Sequence, residues 1–239
     1  MGTFEFRGTG RPWPALAGSG YFRGVEGKRA ASGRIVLTVI AGGQGAASPA
    51  AGDTDADDVR RARLGDNGAR ASLFRRYLKM VRQRVFRLLG PDADAEDVVQ
   101  DAFIGAFTNL HKLVDPNAFG AWLTTIAVHL VNHRLRRRKL LRRLGFSRAG
   151  EQPGAMDAAP ATGVSPALAT EARRFYAALD VVPTEARIAF LLRHLEEMTV
   201  PEVAAHMGMS ERTVKRRIAT AAAHLAPLVQ LDSKETQVP

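Results

Sequence analysis

The 239-residue chain carries 34 Lys and Arg against 24 Asp and Glu, a formal net charge of +10 at pH 7. That excess points to a polyanionic partner, nucleic acid before an anionic membrane surface. The chain has no cysteine, which excludes disulfides and thiolate metal sites, and no apolar run approaches the roughly 20 residues that cross a bilayer, so no membrane span or export signal is read and a cytoplasmic protein is expected.

Residues 1–56 hold 12 of the 22 glycines without helical or strand periodicity, so they bury too little to offset the entropy of ordering. A disordered or extraneous extension is expected there, and its removal is expected to leave folding and activity intact. The β-branched apolar run at 35–41 is the one feature that argues otherwise.

A first helical domain is expected over 57–144. At 69–89, Phe74, Tyr77, Val81, Val85 and Leu88 recur at helical spacing, and Gly90-Pro91 ends the helix. A second helix follows the acidic residues at 92–94, which its dipole favours. It carries Val99, Phe103, Ala106 and Leu110 on one side and Glu96, Asp97, Gln100 and Asp101 on the other. Asp115-Pro116 has the cap-then-proline order of a third helix start, with Phe119, Trp122, Leu123, Ile126 and Leu130 as its buried stripe. That helix runs into RLRRRKLLRR at 134–143, which must face something negative or water. Between 57 and 143 there are 18 Lys and Arg against 9 Asp and Glu, whereas 169–230 is nearly balanced at 8 against 7. Non-specific, salt-sensitive attraction to phosphate therefore belongs to the first domain. Trp122, near the basic run, suits stacking on unpaired bases and a place in the core equally, while Phe119 is expected in the core.

Residues 145–167 are rich in Gly, Ala and Pro and read as a flexible linker. A second helical domain is expected over 168–230, with a short disordered tail at 231–239. Its first helix carries Leu168, Ala172, Phe175, Tyr176 and Leu179, and its second, over 184–197, turns Ile188, Leu191, Leu192 and Leu195 inward. The fold class is all-α: two small helical domains joined by a linker.

The stretch 199–225 reads as a helix-turn-helix. Thr199 and Glu202 have the spacing of a capping box, with Pro201 in the first turn, and Val203, Ala204 and Met207 form an apolar face. Gly208 suits a left-handed C-terminal cap and Ser210 can cap the next helix. In that helix Val214, Ile218, Ala221 and Leu225 share one side and Arg212, Lys215, Arg216 and Ala219 the other. An apolar stripe that docks and a basic face turned outward fit the major groove of DNA. A helical bundle with an ordinary solvated basic face is the bland alternative.

The blocks DAEDVVQDAF (94–103), FGAWLTTIAVHLVNHRLRRRK (119–139) and VPTEARIAFLLRHLEEMTVPEVAAHMGMSERTVKRRI (182–218) resemble regions 2 and 4 of bacterial RNA polymerase sigma factors. Their order and spacing are similar to the extracytoplasmic-function (ECF) group of the sigma-70 family. The resemblance implies partners in core RNA polymerase and promoter DNA, and commonly an inhibitory anti-sigma protein. It implies polymerase binding through Glu96, Asp97, Gln100 and Asp101. It implies reading of the -10 element through Trp122, Thr125, His129, His133, Arg134, Arg136, Arg137 and Arg138, and of the -35 element through Ser210, Glu211, Arg212, Thr213, Lys215 and Arg216. The chain departs from the group at Val128-His129, where an Arg-Asn pair is common, at His133, where aspartate is frequent, and at Arg212-Thr213, where a small Gly-Thr pair often stands. These departures bear on which promoter is read, not on the class.

An enzyme is the other functional class. His129 and His133 stand at i and i+4, but the glutamate of H-E-x-x-H is absent, and no P-loop, G-x-S-x-G or nucleotide-binding glycine fingerprint appears. No catalytic residue, metal or cofactor is expected. The nearer rival is a stand-alone helix-turn-helix regulator whose first domain senses a ligand or partner. The acidic helix lying directly before an aromatic and basic one argues against it.

Overall fold

The computed structural model describes residues 53–235 apart from 91, 93 and 146–165. The expected linker therefore falls almost wholly outside the described residues, as do 1–52 and 236–239.

The first helix, α1 (Asp53–Arg63), is highly charged and buries only a thin stripe of Ala56, Val59 and Ala62. Its Asp55 is fully buried and accepts from the Tyr77 hydroxyl and the Arg76 guanidinium. This corrects the boundary drawn before residue 57. A chain cut there loses a buried carboxylate with two partners, so any neutral truncation must end before Asp53. Small alanines and alternating charges give the segment little apolar periodicity.

In α2 (Asn67–Leu89), Asp66 caps the start by accepting from the amides of Gly68 at 2.7 Å and Ala69 at 3.1 Å. The buried stripe runs through Leu73, Tyr77, Met80, Val81, Val85 and Leu88. Phe74, expected within it, sits at its edge, 37% exposed, with its ring edge-on to Phe103. Gly90 ends the helix at φ 76.

Helix α3 (Ala95–Thr108) buries Val99, Phe103 and Ala106. Leu110 is buried too, but it lies past Asn109 in a 3-10 turn (Leu110–Lys112) rather than on α3. Similarly, Asp115-Pro116 opens a separate 3-10 turn (Pro116–Ala118), with Asp115 accepting from the Asn117 amide at 2.9 Å. The long α4 (Phe119–Arg143) follows it, with Phe119, Leu123 and Ile126 buried and Trp122 and Leu130 half-buried.

The second half comprises α5 (Pro166–Val181), α6 (Thr184–His194), α7 (Val200–Met207) and α8 (Glu211–Glu235). Helix α8 continues through Glu235, so the tail expected from residue 231 begins as helix. Every element among the described residues is helical, as expected, and none is long and apolar enough to cross a membrane.

One hydrophobic cluster runs through both halves. Helices α6 and α7 of the second half pack on α4 of the first. The join is polar as well as apolar. Arg187, 1% exposed, donates to the carbonyls of Leu88 at 3.1 Å and Leu89 at 2.6 Å, and the Tyr176 hydroxyl donates to that of Arg87 at 2.9 Å. The last carbonyls of a helix have no intrahelical partner, so the second half caps α2.

Candidate nucleic-acid and polymerase interface

The expected helix-turn-helix is built by local chemistry. The Thr199 amide donates to Glu202 at 2.7 Å, and the Glu202 amide returns a 3.4 Å bond to the Thr199 hydroxyl. Gly208 adopts φ 63, the left-handed conformation in which a side chain would be strained, and its amide closes on the end of α7. The Ser210 hydroxyl then accepts from the Thr213 amide at 3.3 Å, starting α8. Val214, Ala221 and Leu225 are buried and Ile218 half-buried. Ser210, Glu211, Arg212, Lys215 and Arg216 are exposed, and Thr213 is half-buried. The first turns of α8 therefore present a row of cations and hydroxyls to solvent.

Helix α3 exposes Glu96, Asp97, Gln100 and Asp101 together on one face. Partial burial, and then the neighbouring Asp97 charge, raise the Asp101 carboxyl above its usual range. Glu96 is also held by Arg82 at 2.7 Å. The rest of the face is an acidic surface on a rigid helix.

The residues of α4 fare differently. Phe119 is fully buried, as expected, and the half-buried Trp122 packs on it with ring centroids 6.3 Å apart. Thr125 meets Nδ1 of His206, from α7, at 2.9 Å. His129 is half-buried, and desolvation lowers its pKa. His133 and Arg137 are exposed. Among the described residues no group of three or more His, Cys, Asp and Glu converges as metal ligands would.

Four arginines of the basic run meet carboxylates of their own chain. Arg134 pairs with Asp94 and, at 3.8 Å, with Asp92. Arg136 pairs with Glu185. Arg138 bridges Asp92 at 3.1 Å and Asp180 at 2.9 Å, and Arg142 reaches Asp180 at 3.2 Å. The Lys139 ammonium donates to the Val182 carbonyl, and burial lowers its pKa first, with neighbouring arginines adding to the effect. Sequence reasoning placed this run against something negative but missed Asp180 and Glu185, which answer it. Only the position of Glu185 in the first turn of α6, where a helix dipole favours an anion, hinted at a structural role.

Three structural assignments now bear on the class: an acidic helix, an aromatic and basic helix, and a helix-turn-helix, in that order along the chain. Residues 73–140 match the family model of Sigma-70 region 2, and residues 172–225 that of Sigma-70, region 4. The chain is 31% identical over 179 residues to the ECF RNA polymerase sigma factor SigE of Mycolicibacterium smegmatis, covering 72% of this chain and 67% of that protein. It is 31% identical over 170 residues to the ECF RNA polymerase sigma-E factor of Escherichia coli, covering 69% and 88%. The solved structure of CnrH in complex with the cytosolic domain of CnrY matches with a TM-score of 0.52 at 29% identity, covering 75% of this chain and 99% of CnrH. CnrH of Cupriavidus metallidurans is an RNA polymerase sigma factor. With both regions matched in order, and relatives at this identity covered over two thirds or more of their length, the chain belongs to the ECF group of the sigma-70 family of RNA polymerase sigma factors.

Proposed function

We propose that this sigma factor divides its work among three helix faces. The exposed Glu96, Asp97, Gln100 and Asp101 of α3 bind core RNA polymerase. Trp122, Thr125, His129, His133, Arg134, Arg136, Arg137 and Arg138 of α4 engage and help open the -10 element. Ser210 and the α8 residues Glu211, Arg212, Thr213, Lys215 and Arg216 read the -35 element in the major groove. The chain itself catalyses nothing and takes no cofactor; it works in the cytoplasm, where the polymerase is. Because CnrH is seen in complex with the cytosolic domain of CnrY, a protein that binds the sigma factor directly, of the anti-sigma kind, is proposed here as a further partner.

The observation that carries this reading is the clean division of α8, with Val214, Ala221 and Leu225 buried and Arg212, Lys215 and Arg216 exposed on a helix capped by Ser210. Phosphate contacts from such a face position the protein, and base-edge contacts give it sequence preference. A gel-shift assay tests the reading. Promoter fragments should be retained by core polymerase plus this chain and not by the chain alone. A chain that binds one promoter tightly without polymerase would instead be a stand-alone regulator.

A further inference from the structure

We propose that the groove lined by the last turns of α4, the α5–α6 junction and α8 is a binding site for a small anionic ligand of the nucleoside polyphosphate class. The site goes beyond the promoter and polymerase contacts proposed above, and it belongs to the chain without either partner.

The groove is a cavity of about 390 Å³, within the size range of small-molecule sites. Arg136, Lys139 and Arg143 of α4 and Arg217 of α8 line it with a single carboxylate, that of Glu185 on α6. Four cations against one carboxylate leave a formal excess of three positive charges around one small space. Glu185 pairs with Arg136 and, at 2.7 Å, with Arg217, so one charge is shared between two guanidiniums. Arg143 is exposed and meets no carboxylate among the described residues. Burial lowers the Lys139 pKa first, and Arg187, Arg142 and Arg143 lower it further against the opposing charge of Asp180. A surplus of cations held this close is stabilised by an anion, and a guanidinium fork matches phosphate oxygens.

The other wall is apolar. Leu140 of α4 and Val181 at the end of α5 line the same groove and are 56% and 72% exposed, and Pro183 adds to their surface. An inorganic anion would use the cations and leave this wall wet. A nucleoside polyphosphate uses both sides, its phosphates on the cations and its flat ring on Leu140 and Val181, removing apolar surface from water. A DNA duplex keeps its bases stacked and offers this groove only its backbone, which again leaves the aliphatic wall unused.

Titration calorimetry on the full chain tests this, in about 0.15 M salt, where exposed charges are largely screened. ATP and GTP are the probes, and inorganic tripolyphosphate and adenosine separate the two parts of the ligand. At least one nucleotide should bind saturably and at least roughly tenfold tighter than tripolyphosphate or adenosine. Lys139→Gln with Arg143→Gln should weaken that binding at least roughly tenfold. Arg75→Gln with Lys79→Gln, which removes the same charge from exposed positions on α2, should change it by less than about twofold. No saturable binding of either nucleotide, equal losses in the two pairs, or a nucleotide no tighter than tripolyphosphate overturns the proposal.

If the Lys139 and Arg143 pair does not fold, Val181→Asp addresses the same site from an exposed position. A carboxylate on the apolar wall should weaken nucleotide binding at least roughly tenfold, and unchanged affinity overturns the proposal. Duplex and short single-stranded DNA, matched to the nucleotide in phosphate, are added as competitors and should leave at least about half of the nucleotide bound. Fuller displacement would make the groove part of the DNA path and overturn the proposal. Polymerase is absent from every arm, so failure here leaves the promoter reading standing; that reading fails separately, in promoter retention with core polymerase.

Discussion

Arg84 and Glu196 stand 112 positions apart and meet at 2.8 Å with side chains 6% and 0% exposed. Arg87 joins the same carboxylate at 3.0 Å, and Arg84 also donates to Thr124 at 2.7 Å. Removing one partner of a buried pair leaves uncompensated charge, at a cost of about 3–5 kcal/mol. Glu196→Ala should lower stability by that order in urea unfolding. A loss below about 0.5 kcal/mol, the range of an ordinary surface change, would mean that the pair is not buried in solution.

Gly90 supplies a second measure of the same join. Its φ of 76 and ψ of -158 lie where side chains are strained by about 1–3 kcal/mol, and an added methyl would also meet Tyr176. Gly90→Ala should therefore destabilise by more than the backbone cost alone. In a Tyr176→Ala background the same change should cost less, because only the backbone strain remains. Strictly additive losses in the double-mutant cycle would separate Gly90 from Tyr176.

His206 gives the fold a dependence on pH. Burial first, and then the nearby Arg84 charge, lower its pKa from 6.5 to about 4, against opposition from Glu202, with His129 adding to the depression. The unfolded chain therefore binds the extra proton at higher pH than the folded one, and stability falls as pH drops from about 6.5 to about 4. The contribution lost is about 3 kcal/mol at 1.36 kcal/mol per unit. His206→Gln should flatten the stability profile in that window. Some slope will remain, since burial also lowers the pKa of His129 and His194. A variant whose profile parallels the original would place His206 in solvent.

The caps of α7 and α8 were legible from neighbouring residues, and pairing with distant partners was not. Thr199, Glu202, Gly208 and Ser210 act within a few residues of one another, so spacing alone specifies the caps of α7 and α8. The two faces of α8 follow from helical period. Asp180 and Glu185 carry no such mark, because their partners on α4 lie 38 to 49 residues away and only packing of the halves brings them together. Helix α1 was hidden for another reason: its buried stripe is largely alanine, and its Asp55 becomes legible only beside Tyr77. At Leu110–Lys112 and Pro116–Ala118 the chain forms 3-10 turns where helical spacing had read continuous helices.

Charge reversal on α3 tests the polymerase face. Asp97→Lys with Asp101→Lys changes exposed residues off the buried stripe of Val99, Phe103 and Ala106, so stability should move by about 0.5 kcal/mol or less per site. Affinity for core polymerase should fall at least roughly tenfold, a loss of about 1.4 kcal/mol. Co-purification at the original yield would reassign this face.

The most direct test is run-off transcription with purified core polymerase on genomic fragments, with and without the chain, and with Arg212→Ala, Lys215→Ala and Arg216→Ala combined. The account predicts chain-dependent transcripts whose start sites share -10 and -35 motifs. It also predicts loss of -35 preference in the triple variant, each bidentate base contact being worth about 1–3 kcal/mol. Transcripts that are the same with and without the chain, or a triple variant that keeps the original promoter preference, would contradict it.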